Sequence, residues 1–476
     1  MKILKTTLKV LLALVTLLLL VVLTIILIDQ KRTSYLQLDK YPELQNKSYL
    51  IKNVQVIPMT KDTVLTNFDV LVENGTIKEV AQNISDKDIE IIDGNNQFLI
   101  PGLIDMHVHI WDKQELGLYL ANGVTGVRNL WGLPFHLDLK EQINNQELVA
   151  PSFYTSSPKL TGKDDLGDDK VQIRNPKEAR ALVQSYKNRG YDFIKTYAGM
   201  TEAEYIAIVE EAEALQMDVV AHPSFKVEYT EQFHPQIATI EHTEDIYQQA
   251  LNYQLDSVKA VDIAKIMAER DQIFSPTITG FYKIFEMLEN SDVLNSESAA
   301  YMNPLLIDID AKNQVNRWQE ALKENSGTKN RILSQHQFHL YLIKLLHDAG
   351  VTLVSSSDAG IGITTPGASI KEELAFYAEA GLSNYEVLKT ATINPSKTHQ
   401  IMNDLGTIAV GKKANLLLLD GNPLEDLDAL KKINWIMVHG RKVEPEQLNM
   451  FTLKAKSRKT KLITALRYLQ YLWVER

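Results

Sequence analysis

The hydrophobic pattern of the chain changes several times along its length. An uninterrupted apolar run covers residues 10–28, and short runs typical of strands begin at residue 49. The centre alternates strand-like runs with amphipathic helical stretches, and further strand-like runs occupy residues 405–421 and 433–443. Because strands that alternate with helices form parallel sheets, the pattern predicts an α/β protein built on a (β/α)8 TIM barrel.

Eight strand-like segments lie in the centre of the chain. The interval between the seventh and the eighth is too long for a single crossover helix, so residues 278–348 are predicted to form a helical insertion over the mouth of the barrel. The eight segments are, in chain order, residues 103–109, 124–130, 152–157, 192–197, 218–223, 239–243, 272–277 and 352–358.

The strand-like runs at both ends of the body predict one small β-sandwich domain to which both ends contribute. In the N-terminal part, Asn74 and Gly75 separate two alternating runs, and both residues tolerate the positive φ of a hairpin turn. The predicted division of the chain is a membrane anchor at residues 1–32, a polar linker at 33–47, a composite β-sandwich from 48–100 and 405–450, a barrel from 101–404, and a basic C-terminal helix at 451–476.

The apolar run near the N-terminus predicts a single transmembrane helix. Its 19 residues match the roughly 20 residues that cross a bilayer and exceed the roughly 7–15 of a signal-peptide core. A long cleaved signal peptide is the alternative. Because Lys2, Lys5 and Lys9 precede the run, the positive-inside rule predicts a cytoplasmic N-terminus and a body outside the membrane, in the periplasm or on the cell surface.

Charge and composition exclude several functional classes. The chain has 476 residues, a formal net charge of −10 and no cysteine, so disulfides, thiolate metal ligands and cysteine catalysis are excluded. The negative charge lies in the body while both termini are basic, which argues against nucleic acid as a partner. The basic C-terminal helix is expected either to dock on the body or to lie on the membrane surface. A homo-oligomer is compatible with the sequence.

Potential metal ligands recur at the C-terminal ends of the predicted barrel strands. His107 and His109 lie two residues apart on the first strand, so their side chains point to the same face. Barrel active sites form at this end of the strands. Four further donors close the fourth, fifth, sixth and eighth strands, namely Lys195, His222, His242 and Asp358. The common strand position of these donors predicts a metal site without sulfur ligands.

Several motifs in this order resemble those of the amidohydrolase superfamily. They are PGLIDMHVH, GVTGVRNL, DFIKTY, AHPS, IEHTED, SSDAG and the closing segment GTIAVGKKANLLLLDGNPL. The resemblance extends over residues 48–450 and is greatest to the subgroup of imidazolonepropionase-like proteins and metal-dependent Xaa-Pro dipeptidases. It implies a metal-dependent hydrolase that cleaves a C–N bond of a small amide, cyclic amide or dipeptide-like substrate with a metal-bound hydroxide.

The resemblance also implies a centre of two divalent metals, commonly zinc. It assigns His107, His109 and Asp358 to the first metal, His222 and His242 to the second, and Lys195 to both, as a carbamate formed with CO2. A carbamate offers two oxygens to two cations, which an ammonium does not. Asp358 would be catalytic, because a carboxylate beside the activated water can carry its proton to the leaving amine.

Other readings of the same residues remain open. If Lys195 instead formed a structural ion pair, the site would hold one metal. Separately, the same metal-bound hydroxide would also hydrolyse a lactone or an ester. The alternative that is not an enzyme is a non-catalytic binding protein on the same scaffold. Arg128, Tyr154 and Tyr197 are candidates for substrate binding, although packing or ion-pair roles are equally compatible. The loop LTGKDDLGDD lacks the histidine of related dipeptidases, so the resemblance does not extend to the substrate of those enzymes.

Overall fold

The computed structural model describes residues 2–44, 48–85, 89–165 and 167–475. Its strands form a mixed sheet of eight strands and a parallel sheet of nine. The strands are β1 (Tyr49–Val56), β2 (Leu65–Glu73), β3 (Thr76–Ala81), β4 (Glu90–Asp93), β5 (Phe98–Pro101), β6 (Leu103–Val108), β7 (Val124–Asn129), β8 (Ser152–Gly162), β9 (Lys170–Ile173), β10 (Phe193–Thr196), β11 (Asp218–Ala221), β12 (Ile237–Glu241), β13 (Ile273–Ser275), β14 (Thr352–Leu353), β15 (Leu416–Leu419), β16 (Ile433–Val438) and β17 (Arg441–Val443).

Helices occupy the intervals between the strands of the parallel sheet and both ends of the chain. They are α1 (Lys2–Thr33), α2 (Gln114–Ala121), α3 (Pro134–Asn144), α4 (Pro176–Arg189), α5 (Glu202–Ala214), α6 (Thr243–Asp245), α7 (Ser257–Glu269), α8 (Ile278–Glu289), α9 (Pro304–Leu306), α10 (Lys312–Glu324), α11 (Thr328–Asp348), α12 (Ser369–Glu379), α13 (Asn384–Thr390), α14 (Pro445–Lys456) and α15 (Lys461–Glu475).

The parallel sheet follows the chain order β6, β7, β8, β10, β11, β12, β13 and β14, with β9 added beside β8. Its two ends meet, because Met106 N donates to Ser355 O at 2.9 Å and His109 N donates to Ala359 O at 2.7 Å. These bonds bring β6 against the segment that follows β14. The predicted α/β class with a parallel barrel-like sheet is confirmed.

The mixed sheet pairs strands from the two ends of the body in the order β17, β16, β15, β5, β1, β2 and β3, with β4 beside β1. Buried apolar side chains of both ends, including Val54, Val70, Leu416 and Trp435, share one hydrophobic cluster. The turn between β2 and β3 has φ +51° at Asn74 and +75° at Gly75, as expected for the predicted hairpin.

The segment after α1 differs from the predicted polar linker. Residues 34–44 form short 3-10 turns whose Leu36, Leu38 and Leu44 are buried in the main hydrophobic cluster. Leu38 N also donates to Glu147 O at 2.8 Å. The three leucines, spaced among polar residues, all find apolar neighbours on the body. Residues 45–47 lie outside the described residues.

The C-terminal segment contains two helices, α14 and α15, where the sequence predicted one. The chain bends at residues 457–460, where the buried Arg458 contacts Asp112 and Glu115, each at 3.2 Å. Further along, Tyr471 of α15 is fully buried. The structure therefore shows docking on the body, the first of the two arrangements that the sequence left open.

Helix α1 is exposed along its apolar part. A helical stretch at Ile3–Leu36 has the length and hydropathy of a membrane-crossing segment, and the rest of the described chain buries none of its most apolar window. These properties are those of a membrane span or a signal anchor.

Candidate metal centre

The structure gathers the predicted donors at the C-terminal end of the barrel strands. The donor atoms of His107, His109 and Asp358 lie within 4.8 Å of one another. His222 and His242 form a second such group with Asp245. The two groups adjoin, since the ring centroids of His107 and His242 are 4.9 Å apart.

The first group is held by direct contacts to one carboxylate. Asp358 Oδ1 lies 2.9 Å from His109 Nε2 and 3.4 Å from His107 Nε2. Both histidines are on β6 or directly after it, and Asp358 follows β14. Because β6 and the segment after β14 are neighbours at the closure of the barrel, residues about 250 positions apart come into contact.

The second group includes a carboxylate that the sequence analysis missed. The His222 and His242 ring centroids are 4.7 Å apart, and His222 Nε2 lies 3.5 Å from Asp245 Oδ2. The segment IEHTED carried the signal, since Asp245 lies in the short helix α6 that begins one residue after His242. A carboxylate at this place is a further oxygen donor for a cation.

Three residues at this end of the barrel have a strained backbone. His242, Thr277 and Asp358 have φ of +70°, +52° and +52°, the left-handed region that residues other than glycine rarely adopt. His242 Nδ1 and Thr277 Oγ1 also share a hydrogen bond of 2.8 Å. Such strain is typical of functional sites, where the surrounding structure fixes side-chain direction at a cost in stability.

Burial sets the charge of the donor groups. It lowers the pKa of His107, His222 and His242 well below 6.5, so these imidazoles are neutral and can act as ligands. Burial alone would raise the pKa of Asp358, but the neighbouring His107 and His109 outweigh it and bring that pKa to about 2. Neutral imidazoles with an ionised carboxylate are the donor set that divalent cations prefer in the absence of sulfur.

Lys195 is buried at the end of β10 and lines the same cavity. Its Nζ has no hydrogen-bond partner within the described part of the chain. Burial lowers its pKa to about 8, against an ordinary value of 10.5. A buried lysine without a partner is costly unless something else satisfies it. This orphaned amine fits a lysine that is modified or that contacts a metal cluster.

A buried chain of polar contacts supports His107 from below. His107 Nδ1 lies 2.7 Å from Glu241 Oε2, and Glu241 Oε1 accepts from Arg128 Nη2 at 2.9 Å. Arg128 Nε donates in turn to Met106 O at 2.6 Å. Arg128 was predicted as a substrate-binding residue, but its side chain is fully buried beneath the donors. The sequence indicated the strand of Arg128 but not its depth, and the structure places its side chain beneath the donors, in contact with Glu241.

The two predicted tyrosines lie at different ends of the barrel. Tyr197 lines the cavity and stacks on His222 with ring centroids 4.3 Å apart. Tyr154 packs in an apolar cluster with Met402 and Leu405, and its hydroxyl donates to Ile401 O at 3.2 Å. Tyr154 therefore does not join the donors, because it lies near the start of β8 and the donors lie at the opposite, C-terminal end of the barrel strands.

The cavity over the donors has a volume of about 320 Å3. Aromatic and apolar side chains form its walls, and residues of the segment 278–348 and of the C-terminal helix contribute to them. These wall residues are Trp111, Trp131, Leu306, Ile309, Ile361 and Tyr468. Lys159 also lines the cavity, paired with Asp169 and lying 4.7 Å from the centroid of the Trp131 ring. Sequence reasoning did not identify these walls, since they come from distant segments.

Two curated dihydroorotases are similar in sequence to part of this chain. A dihydroorotase of Elusimicrobium minutum is 27% identical over 200 residues, which is 41% of this chain and 42% of that protein. A dihydroorotase of Carboxydothermus hydrogenoformans is 44% identical over 87 residues, or 16% of this chain and 20% of that protein. The matches thus span less than half the length of these curated relatives.

Solved structures share the fold at low sequence identity. A Xaa-Pro dipeptidase with bound methionine has a TM-score of 0.65 at 20% identity, covering 83% of this chain and 100% of that chain. Bottromycin amidohydrolase has a TM-score of 0.71 at 20% identity, covering 86% and 90%. The model of the amidohydrolase family matches residues 117–443, well over half of the chain. The chain therefore belongs to the amidohydrolase family, as its motifs indicated.

Proposed function

We propose that this protein is a metal-dependent hydrolase that cleaves a C–N bond in a small amide, cyclic amide or dipeptide-like substrate. The observation that carries the proposal is the pair of adjoining donor groups at the C-terminal end of the barrel, with an unpartnered buried lysine in the same cavity. Membership of the amidohydrolase family supports it. So does the likeness to structures named as a Xaa-Pro dipeptidase and as an amidohydrolase.

The donor set fits two divalent ions, and zinc suits its nitrogen and oxygen atoms. His107, His109 and Asp358 would hold one ion, His222 and His242 the other, and Lys195 both of them as a carbamate. Bound divalent metal supplies Lewis acidity and a water whose pKa is lowered to roughly 7. The neutral state of the imidazoles and the pKa of Lys195 support this assignment, since carbamate formation needs an unprotonated amine.

The protein side chains have separate tasks in this mechanism. Asp358 is ionised and belongs to the first donor group, so it can accept a proton from the attacking water and pass it to the leaving nitrogen. Glu241 fixes the orientation of His107 through its Nδ1. Trp111, Trp131 and the other apolar walls limit water in the cavity, which strengthens the electrostatic interactions within it.

We further propose that α1 anchors the enzyme in a membrane with the N-terminus in the cytoplasm and the barrel outside. The exposed apolar length of α1 and the three lysines before its apolar part support this orientation. Protease added to intact spheroplasts should digest the body, and carbonate should fail to extract the full chain. Protection of the body would reverse the orientation, and release by carbonate would refute the anchor.

Two measurements test the catalytic proposal. Elemental analysis of protein prepared without chelator should give about two metals per chain, and a reproducible value near one would remove Lys195 as a bridge. A screen of dipeptides, N-acyl amino acids, cyclic amides and lactones should then find hydrolysis of a C–N bond that a chelator abolishes. Hydrolysis confined to lactones would refute amide specificity. A fully metal-loaded protein inactive on every class would refute the enzyme and favour a binding protein.

A further inference from the structure

A second cavity lies where α1 leaves its apolar part and meets the start of α15. Its volume is about 380 Å3, and Ile25, Ile28 and Leu462 supply its apolar walls. Four basic residues line its polar side. Arg458 is paired with Asp112 and Glu115, and Lys461 with Asp308. The other two are Arg32 and Lys459. The cavity is separate from the metal centre, since no residue that the structure describes lines both.

The cavity carries uncompensated positive charge. Arg32 Nη1 donates to Lys459 O at 2.7 Å, and neither residue has an ion pair with any part of the chain that the structure describes. Among the described residues, Asp29 is the one acidic side chain that lines the cavity, and it is already paired with Arg467 at 2.8 Å. An anion bound between Arg32 and Lys459 would therefore meet two free cationic groups.

The surface beside this cavity is apolar on both helices. On α15, Leu462, Leu469 and Trp473 are 69%, 60% and 88% exposed, although the opposite side of the helix docks on the body. On α1, Leu27 and Ile28 are exposed as well. Basic residues next to exposed aliphatic and tryptophan side chains are typical of the membrane interface.

We propose that this cavity binds one anionic phospholipid of the bilayer that holds α1. Arg32 and Lys459 would contact the phosphate, while Ile25, Ile28 and Leu462 would contact the upper part of the acyl chains. The inference rests on the proposed membrane span, because only then does the cavity lie at headgroup depth. A free anion would pair with the two cations but would not contact the apolar walls. A phospholipid would contact both, so the lining of the cavity favours a lipid.

The bound lipid would bridge the anchor and a wall of the catalytic cavity. Arg467, which pairs with Asp29 of α1, is followed directly by Tyr468, whose side chain lines the cavity over the metal donors. A lipid that joins the end of α1 to the start of α15 would hold this helix in its docked position.

Native mass spectrometry of the full chain in a non-ionic detergent tests the proposal. Phosphatidylglycerol is added in one series and phosphatidylcholine of the same acyl chains in another. We expect one phosphatidylglycerol to be retained in preference to phosphatidylcholine. The double variant Arg32→Gln/Lys459→Gln should bind it roughly 25-fold more weakly, because each basic residue near a lipid surface contributes roughly a factor of five.

The matched control is Lys177→Gln/Lys259→Gln, which removes the same charge from exposed positions on α4 and α7. This variant should retain phosphatidylglycerol as the parent does. Equal retention of the two lipids, or unchanged binding by the Arg32/Lys459 variant, would overturn the proposal. Displacement of the lipid by millimolar inorganic phosphate would assign the site to a free anion instead. The readout needs neither metal nor turnover, so its failure is distinguishable from failure of the hydrolase assignment.

Discussion

The buried contact between Arg128 and Glu241 allows a sharp test of how the barrel interior supports the metal centre. Both side chains are fully buried, and Arg128 also donates to Thr239 Oγ1 at 2.9 Å. Burial would raise the pKa of Glu241, but Arg128 and Lys195 outweigh it and keep the carboxyl ionised. Replacement of Arg128 by methionine keeps a similar length and leaves this carboxylate without its cation.

The expected loss follows from the burial of the pair. Removal of one partner of a fully buried ion pair costs about 3–5 kcal/mol in the free energy of unfolding. The double variant Arg128→Met/Glu241→Gln removes both charges, so most of that loss should be recovered. Metal affinity should behave differently, because Glu241 orients His107. Any variant with Glu241→Gln should bind metal about 10–100-fold more weakly.

Two assays on the full chain separate these effects. Urea unfolding of the chelator-treated protein, followed by tryptophan fluorescence, measures the free energy of unfolding. We expect the parent to be the most stable, the double variant to be intermediate and Arg128→Met to be the least stable. Competition with a chromophoric chelator then gives metal affinity for the parent, Glu241→Gln and the double variant. Parental metal affinity in Glu241→Gln would refute the orienting role. A double variant no more stable than Arg128→Met would refute the charge-pair argument.

Other predictions concern the donors, the cavity and a buried acid away from them. Asp358→Asn should retain much of the metal and lose roughly 10²–10⁴-fold in kcat, since an amide carries no proton; near-parental kcat with metal bound would contradict its role. Lys195→Ala should lose activity and regain part of it with acetate or propionate, whereas carboxylates should not activate the parent. Tyr468→Ala should raise KM more than it lowers kcat, measured on whichever substrate the screen identifies, because Tyr468 lines the wall of the cavity beside Trp111 and Trp131. Burial raises the pKa of Glu373 to about 7, so its folded carboxyl stays protonated where the unfolded one ionises. The free energy of unfolding of the parent should therefore exceed that of Glu373→Gln by a constant amount below about pH 4.5. This difference should shrink by at most about 3 kcal/mol as the pH rises to 7. A constant difference across urea titrations at several pH values would contradict it.

The sequence alone determined the class of the fold, because periodicity is a local property. Alternating strands and helices predicted the parallel barrel, and the apolar run predicted α1. The placement of the candidate donors His107 and His109 was also predictable, since a spacing of two on a strand fixes a common face and the strand ends share one rim. These inferences needed no knowledge of which distant segments meet.

Tertiary structure decided everything that depends on contacts between distant segments. Arg128 and Tyr154 looked equally able to reach a substrate, yet one lies beneath the donors and the other packs away from them. Tyr468 joins the wall of the catalytic cavity only because α15 docks on the body. Side-chain direction along a strand follows from the sequence, whereas depth within the barrel and the partner across a cavity depend on closure of the sheet and on helix docking.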